Sequence, residues 1–207
     1  MRDLIIEVLD TAKRMHSEAL VSGSSGNVSA YDASKDIMVI TPSGTDYRAM
    51  TESDIVTMHL DGTVLSGNGL PSSEWRMHAL LYKNRKDVQA VVHTHSAFAT
   101  GFAVLHLPVP LILIEMVAFL GGDIPVAEFA LPSTEELGQT ALDALNDRFG
   151  CLLMNHGVLA VGESVSEAYL RAEYIEDAAK IYYNAYSIGY PHILSDDTAR
   201  EMMEQYQ

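Results

Sequence analysis

The amino-acid sequence predicts an α/β protein with a three-layer α/β/α architecture and a central mixed, largely antiparallel sheet. Apolar segments with helical spacing are interleaved with short β-branched segments, which is typical of helices packed on both faces of a sheet. Asp61-Gly62 separates two strand-like segments and predicts a hairpin, which joins antiparallel neighbours. The chain has 207 residues, 48% of them hydrophobic, which suits a single domain over residues 1–207.

Helices are predicted where apolar residues recur every three or four positions. Serine or threonine at the start of such a segment can cap the free backbone N–H groups. On this basis we expect Ser72 or Ser73 to cap one helix and Ser133 or Thr134 to cap another. The predicted helices cover residues 3–21, 74–84, 96–105, 134–148, 164–188 and part of the tail 195–207.

Strands are predicted where short β-branched or apolar segments lie between turn residues. The segments with this pattern are Val28–Tyr31, Ile37–Ile40, Ile55–Leu60, Thr63–Leu65, Val88–Thr94, Leu111–Ile114, Cys151–Met154 and Val158–Val161. A short segment, Met116–Leu120, ends at Gly121-Gly122, and Thr51 with Asp54 predicts a capped turn.

Charge and cysteine content restrict the classes of function. The formal net charge is -15, so nucleic acid and anionic membranes are poor partners for this surface. The single cysteine, Cys151, cannot form an internal disulfide, which favours a reducing compartment. The N-terminus lacks the pattern of a signal peptide, and the apolar run Val109–Leu120 is too short to span a bilayer. We therefore expect a soluble cytoplasmic protein.

Two histidines end the strand-like segment Val88–Thr94. His93 and His95 are two positions apart, so a strand would direct both imidazoles to the same face. Glu74 and His156 stand at the ends of other apolar stretches and could complete the group. Three histidines and one carboxylate suit a divalent first-row metal, zinc above all.

Other interpretations of these residues stay open at this point. A histidine in a core is more often hydrogen-bonded than bound to metal, and Val91–His95 could be a strand that runs into a polar loop. Asn155-His156-Gly157 could be an ordinary turn. His78 lies one helical turn after Glu74 and is predicted to pack near the site without binding the metal.

Small-residue loops beside the histidines predict an anion site. Glycine lets backbone N–H groups approach a ligand, and serine hydroxyls add further donors. The loop that contains Ser72 and Ser73 precedes a predicted helix, whose N-terminus favours negative charge. A phosphate could therefore be bound without lysine or arginine. The candidate phosphate-binding residues are Gly26, Asn27, Ser43, Gly44, Ser72 and Ser73.

Together these motifs resemble the class II aldolase/adducin family, and within it the sugar-phosphate aldolases. The resemblance covers residues from about 5 to 190 in the order of the family's motifs. The matching segments are Ser25–Ser29, Ile40–Gly44, Leu70–His78, Val92–His95, Gly121-Gly122 with Ile124-Pro125, and Asn155–Gly157.

The resemblance implies a class II aldolase-like single domain, a homotetramer with active sites between subunits, and one zinc ion per subunit. It implies zinc ligands Glu74, His93, His95 and His156, and a sugar-phosphate substrate. The implied reaction is reversible cleavage of a ketose 1-phosphate, above all L-fuculose 1-phosphate in fucose degradation. Dihydroxyacetone phosphate and L-lactaldehyde would form through a metal-stabilised enediolate, with Glu74 also carrying the proton.

One position departs from the family. The best-studied members place a tyrosine from the neighbouring subunit shortly before the Gly-Gly pair, whereas this chain offers Glu115. Its apolar neighbours predict burial and a raised pKa, which would suit acid–base work at the aldehyde side. An ion pair across a subunit interface is the other interpretation. Tyr206 in the tail is a second candidate for that proton by position alone.

The same family leaves several functions open. They are ribulose-phosphate 4-epimerase, 5-deoxyribulose-phosphate or rhamnulose-phosphate aldolase, methylthioribulose-1-phosphate dehydratase, and a non-enzymatic adducin-like assembly module. The module would not need the metal ligands, and a purely structural zinc site would commonly contain thiolates.

Overall fold

The structure is a computed structural model that describes residues 1–206, apart from the side chains of Asp196, Met203, Gln205 and Tyr206. One eight-stranded sheet forms its centre, with strand order β4-β3-β2-β1-β5-β8-β7-β6. The strands are β1 Asn27–Asp32, β2 Ile37–Ile40, β3 Val56–Met58, β4 Val64–Ser66, β5 Ala90–Thr94, β6 Val126–Ala127, β7 Gly150–Leu153 and β8 Gly157–Gly162. The helices are α1 Arg2–Ser17, α2 Trp75–Asn84, α3 Ala97–Leu105, α4 Glu135–Leu145, α5 Val165–Ile188 and α6 Asp196–Tyr206.

The sheet is mixed and largely antiparallel, as the sequence predicts. Strands β6 and β7 pair in parallel, and the other described pairings between strands are antiparallel. The hairpin expected around Asp61-Gly62 joins β3 to β4. Strand β5 lies near the centre of the sheet, between β1 and β8.

Alternation along the strands divides the apolar side chains between two cores. On β5, Val92 packs with residues of α1, α3 and α5, whereas Val91 packs with residues of α2 and α4. Helices therefore cover both faces, which confirms the three-layer α/β/α prediction. His93 lies two positions after Val91 and thus faces the α2 side of the sheet.

Two predicted elements differ from the structure. Leu111–Ile114 is predicted as a strand but forms none, because its backbone enters a π-helical turn over Met116–Leu120. Strand β6 has only two residues and no alternating pattern that would reveal it. The predicted cap of α2 also shifts: Glu74, and not Ser72 or Ser73, occupies the N-cap position.

The remaining caps follow the sequence. The Thr134 hydroxyl accepts a hydrogen bond from the backbone of Leu137 at the start of α4. The Asp54 carboxylate accepts hydrogen bonds from the backbone and hydroxyl of Thr51 in a 3₁₀ turn. Across residues 1–206, every helix is too short or too polar to cross a lipid bilayer.

Candidate metal and substrate site

The histidine pair predicted from the sequence lies at the end of the central strand. His93 is the fourth residue of β5 and is fully buried, and His95 follows the strand and is partly buried. Their Nε2 atoms lie 3.0 Å apart. The two imidazoles therefore converge, as alternation along the strand predicts.

Strand pairing brings in the third histidine. His156 lies in the turn between β7 and β8, and β8 pairs with β5 so that Val158 lies opposite Thr94. A Cβ on Gly157 would collide with the Thr94 carbonyl oxygen and lie 3.0 Å from Cδ2 of His95. Glycine at this position therefore lets the turn approach β5 closely enough for His156 to join the pair.

Glu74 reaches the histidines from the layer of helices. It occupies the N-cap position of α2, and its side chain is almost completely buried. Its Oε2 atom lies 3.2 Å from Nε2 of His93, and its Oε1 atom lies 3.3 Å from Nε2 of His156. The ligand nitrogens of the three histidines lie within 4.8 Å of one another. The structure thus brings all four predicted ligands together.

The arrangement of lone pairs fits a bound cation. Nδ1 of His93 lies 2.7 Å from the carbonyl oxygen of Val158, so it carries the proton and donates. Nε2 of His93 then presents a lone pair to Nε2 of His95 and to the Glu74 carboxylate. Several acceptors crowded into a buried site need a positive group between them, and a metal-binding histidine typically donates its other ring N–H to a carbonyl or carboxylate oxygen.

The protonation states also suit metal binding. Burial lowers the pKa of His95 and of His156 to about 4. Both imidazoles are therefore neutral at pH 7, the form that binds a metal. Burial opposes ionisation of Glu74, but His93, His156 and the amide of Asn27 outweigh it and leave the pKa of the carboxyl lowered.

A cleft of about 200 Å³ opens beside these four residues. Glu74, His95 and His156 lie in its wall. All six predicted phosphate-binding residues also line it: Gly26, Asn27, Ser43, Gly44, Ser72 and Ser73. Among the described residues that line the cleft there is neither lysine nor arginine. An anion there would therefore depend on backbone and hydroxyl donors.

Short backbone bridges bring the loops together. Pro42 and Pro71 form an antiparallel bridge, and the backbone of Ser72 donates to the carbonyl of Thr41 at 3.0 Å. These contacts join the loop after β2 to the loop before α2. Ser43 and Ser73 remain exposed at the mouth of the cleft.

Tyr47 holds the loop at Ser25 and Gly26 in place, a role that no sequence pattern predicts. Its buried hydroxyl donates to the carbonyl oxygen of Gly26 at 2.7 Å and lies 3.0 Å from that of Ser25. Gly26 has φ of 76°, and a Cβ there would lie 2.7 Å from the carbonyl oxygen of His93. The loop can therefore lie directly on the end of β5 only with glycine at this position.

The side chain of Asn27 points to the metal site. Its Nδ2 donates to Oε2 of Glu74 at 2.8 Å, and its Oδ1 lies 2.5 Å from Nε2 of His78. Both ends of the carboxamide are thus engaged within the protein. Phosphate binding by Asn27 stays a prediction.

Glu115 and Tyr206 are the two residues predicted to transfer the aldehyde-side proton. Glu115 precedes the π-helical turn and is exposed, so its expected burial is wrong for the single chain. Met116 and Val117 point into the core and leave Glu115 outside. Glu115 is absent from the described residues that line the cleft. The side chain of Tyr206 lies outside the described part of the structure.

The sequence and the fold have close counterparts among known proteins. Residues 6–183 match the family described as Class II Aldolase and Adducin N-terminal domain. The chain belongs to the class II aldolase and adducin family. A solved L-fuculose 1-phosphate aldolase superposes with a TM-score of 0.94 at 40% identity, covering 99% of this chain and 96% of that one.

Curated relatives match over nearly their whole length. A 5-deoxy-D-ribulose 1-phosphate aldolase of Bacillus thuringiensis is 35% identical over 97% of this chain and 94% of its own. An L-fuculose phosphate aldolase of Escherichia coli O6:H1 is 36% identical over 97% of this chain and 93% of its own. This chain is therefore a class II aldolase, a carbon–carbon lyase of a metal-dependent family, and its relatives differ in the sugar phosphate for which they are named.

Proposed function

We propose that this aldolase is zinc-dependent and reversibly cleaves L-fuculose 1-phosphate to dihydroxyacetone phosphate and L-lactaldehyde, as in fucose degradation. One observation carries the proposal: four ligand side chains converge at the edge of a cleft lined by every predicted phosphate-binding residue. Metal and phosphate sites so close together suit a small ketose 1-phosphate. The similar solved structure and the E. coli relative support fuculose phosphate as the first substrate to test.

Glu74, His93, His95 and His156 would bind the zinc ion. A zinc ion there supplies Lewis-acid stabilisation of the negative charge that develops on the substrate's carbonyl oxygen. Three neutral imidazoles and one carboxylate are a donor set that zinc prefers. The set contains no thiolate, which favours a catalytic over a purely structural site.

Glu74 is proposed to move the proton at the carbon next to the carbonyl. In the direction of condensation its ionised carboxylate accepts that proton from dihydroxyacetone phosphate, and the carbon then forms its bond to the aldehyde. In the direction of cleavage the same carboxyl returns the proton as the bond breaks. The lowered pKa of Glu74 keeps the group ionised near pH 7, as a base requires.

The small-residue loops are proposed to position the substrate. Ser43, Ser73, Gly26 and Gly44 line the cleft, and the serine hydroxyls and the backbone N–H groups around the glycines would bind the phosphate. A phosphate fixed there sets the distance from the carbonyl to Glu74. Such positioning lowers the entropy cost of reaching the transition state.

Glu115 is proposed to transfer the proton at the aldehyde-side hydroxyl in a neighbouring subunit's cleft. Its exposure is compatible with this role, because it does not line the cleft of its own chain. Tyr206 is the second candidate. Loss of turnover in Glu115→Gln, with zinc content unchanged, would support the role, and full turnover would remove Glu115 from the reaction.

A homotetramer is proposed as the working assembly. An apolar cavity of about 630 Å³ lies between α3 and α5, beside side chains such as Leu105 and Tyr186, which are 65% and 61% exposed. Apolar patches of this kind usually mark interfaces. Light scattering on the purified protein tests the assembly, and a monomer with full activity would refute it. We also expect the enzyme to work in the cytoplasm.

The first test is a coupled assay for dihydroxyacetone phosphate. Zinc-loaded protein should release it from L-fuculose 1-phosphate, a chelator should stop the release, and added zinc should restore it. Release that survives complete removal of the metal would refute the zinc-dependent mechanism.

A second candidate substrate is 5-deoxyribulose 1-phosphate, because the B. thuringiensis relative is named for it. Both sugars would yield dihydroxyacetone phosphate, so identification of the aldehyde distinguishes them. Preferred cleavage of the shorter sugar would reassign the substrate. Rhamnulose-phosphate cleavage, 4-epimerisation of ribulose phosphate and dehydration of methylthioribulose 1-phosphate are the remaining activities to assay. Protein without stoichiometric metal and without these activities would favour an adducin-like assembly module.

A further inference from the structure

A chain of hydrogen bonds runs from the metal site into the protein. Nδ2 of Asn27 donates to Oε2 of Glu74 at 2.8 Å, and Oδ1 of Asn27 lies 2.5 Å from Nε2 of His78. Oγ of Ser29 lies 2.6 Å from Nδ1 of His78 and 2.5 Å from the hydroxyl of Tyr82. Every member is buried, and His78 is fully inaccessible.

Helix and strand periodicities create this chain. Glu74, His78 and Tyr82 follow one another at four-residue steps, so they lie along one face of α2 and its N-cap. Asn27 and Ser29 are two residues apart on β1 and face the same layer. Two strand residues advance about 6.6 Å and four helical residues about 6 Å. The residues of β1 and those of α2 are therefore spaced almost equally, so each strand residue lies beside a helix residue.

The direction of each hydrogen bond follows from its neighbour. A carboxylate can only accept, so Asn27 must present its nitrogen to Glu74 and its oxygen to His78. Nε2 of His78 must then donate, which leaves Nδ1 to accept from the hydroxyl of Ser29. The oxygen of Ser29 can accept in turn from Tyr82. The imidazole is thereby restricted to one tautomer.

The imidazole of His78 must be neutral to make both of these hydrogen bonds. Burial lowers the pKa of His78 to about 3. A neutral imidazole has one donor and one acceptor, which match the oxygen of Asn27 and the hydroxyl of Ser29. An apolar residue at position 78 would leave the oxygen of Asn27 without a donor and the hydroxyl of Ser29 without its acceptor on the ring, and Asn27 would lose the contact that holds one end of its carboxamide.

We propose that His78 is a positioning residue, which acts through Asn27 to keep Oε2 of Glu74 directed at His93. If Asn27 lost the donor for its oxygen, the carboxamide would shift to find another, and its hydrogen bond to Oε2 of Glu74 would lengthen or break, which would displace the carboxylate. Displacement would weaken metal binding and move the group that carries the proton. This inference rests on the proposed function for its effect on turnover, but its effects on metal affinity and tautomer do not depend on the substrate.

The test compares full-length His78→Phe, which keeps a ring but removes the donor, with His78→Gln, which can still donate to Asn27. His59→Phe, a change at a partly exposed histidine that contacts the backbone carbonyl of Asp36 and does not belong to this chain of bonds, is the matched control. Zinc affinity is measured by competition with a chromophoric chelator. We expect His78→Phe to bind zinc roughly 10–100-fold more weakly, with kcat lowered and KM little changed. His78→Gln should recover most of the affinity, and His59→Phe should match the wild type.

Nitrogen-15 NMR of the wild-type imidazoles provides a readout that needs no variant to fold. His78 should be protonated at Nε2 alone, with and without zinc. Protonation at Nδ1, or folded His78→Phe with wild-type zinc affinity, would overturn the proposal. Wild-type protein that shows the expected tautomer and affinities but releases no dihydroxyacetone phosphate would refute the proposed function and leave the role of His78 standing.

Discussion

Oε2 of Glu74 and Nε2 of His93 meet 3.2 Å apart although they belong to different layers of the fold. Glu74 begins a helix on one face of the sheet, and His93 lies inside the central strand. Their separation therefore depends on how closely α2 packs on β1 and β5. The geometry of the candidate metal site therefore depends on the packing of the core between α2 and the sheet.

Replacement of Glu74 by glutamine should abolish cleavage but preserve the fold. The amide is nearly isosteric, but it cannot take up and return a proton, so turnover should fall by at least about 100-fold. Circular dichroism and light scattering should match the wild type. Glu136→Gln, at an exposed position in the first turn of α4, is the control and should keep full activity. Full turnover by Glu74→Gln would remove this residue from the mechanism.

Replacement of His95 by alanine should remove stoichiometric zinc. His95 is only partly buried, so its loss should disturb the core less than loss of the inaccessible His93. Metal content after dialysis, measured by plasma mass spectrometry, should drop from one zinc per chain to a small fraction. His59→Ala should retain the metal. A fully loaded His95→Ala protein would exclude His95 as a ligand.

Gly157→Ala should destabilise the protein and loosen metal binding together. The added methyl group would collide with the Thr94 carbonyl oxygen and come within 3.2 Å of Cε1 of His93. Overpacking of this kind costs about 1–3 kcal/mol, which urea denaturation can measure. Gly189→Ala, at an exposed position with extended backbone after α5 where a Cβ meets nothing within 4 Å, is the matched control and should not be destabilised. Equal midpoints for the two variants would contradict the proposed close approach.

Cys151 should resist alkylation in the folded protein. It is fully buried in β7, and burial raises the pKa of its thiol to about 12. Iodoacetamide at pH 8 should therefore label it only after unfolding. Because the folded pKa lies above the unfolded value, the thiol favours the folded state below about pH 9, and this contribution is lost as the pH rises towards 12. Mass spectrometry of native and urea-treated protein measures the labelling, and rapid native labelling would contradict this burial.

The sequence reveals the parts of the site that depend on local pattern. Alternation in Val91–His95 predicts two imidazoles on one face, and the structure confirms their convergence. The four-residue step from Glu74 to His78 predicts a shared face, which the structure also shows. These predictions succeed because strand and helix periods fix where neighbouring side chains point.

Other parts depend on contacts between distant residues. His156 joins His93 because β8 pairs with β5, and Tyr47 reaches Gly26 across a loop whose path no local pattern reveals. The apolar neighbours of Glu115 predicted its burial, but only Met116 and Val117 point into the core, and Glu115 is exposed together with Ile114. The apolar content of the surrounding sequence predicts the burial of a side chain less well than the backbone conformation that orients it.

The matched steps of β1 and α2 also bear on how this chain can tolerate changes in length. An insertion of one residue between Glu74 and His78 would rotate the rest of the helix by about 100° relative to its N-cap, and an insertion between Asn27 and Ser29 would turn the second side chain to the other face. Either insertion would disrupt the packing of the core and the hydrogen bonds that position Glu74. The segment Ser66–Leu70 contains none of these hydrogen-bonded residues and is mostly exposed. Lineages of this enzyme should therefore vary in length there, but they should keep the spacing between Asn27 and Ser29 and between Glu74 and Tyr82.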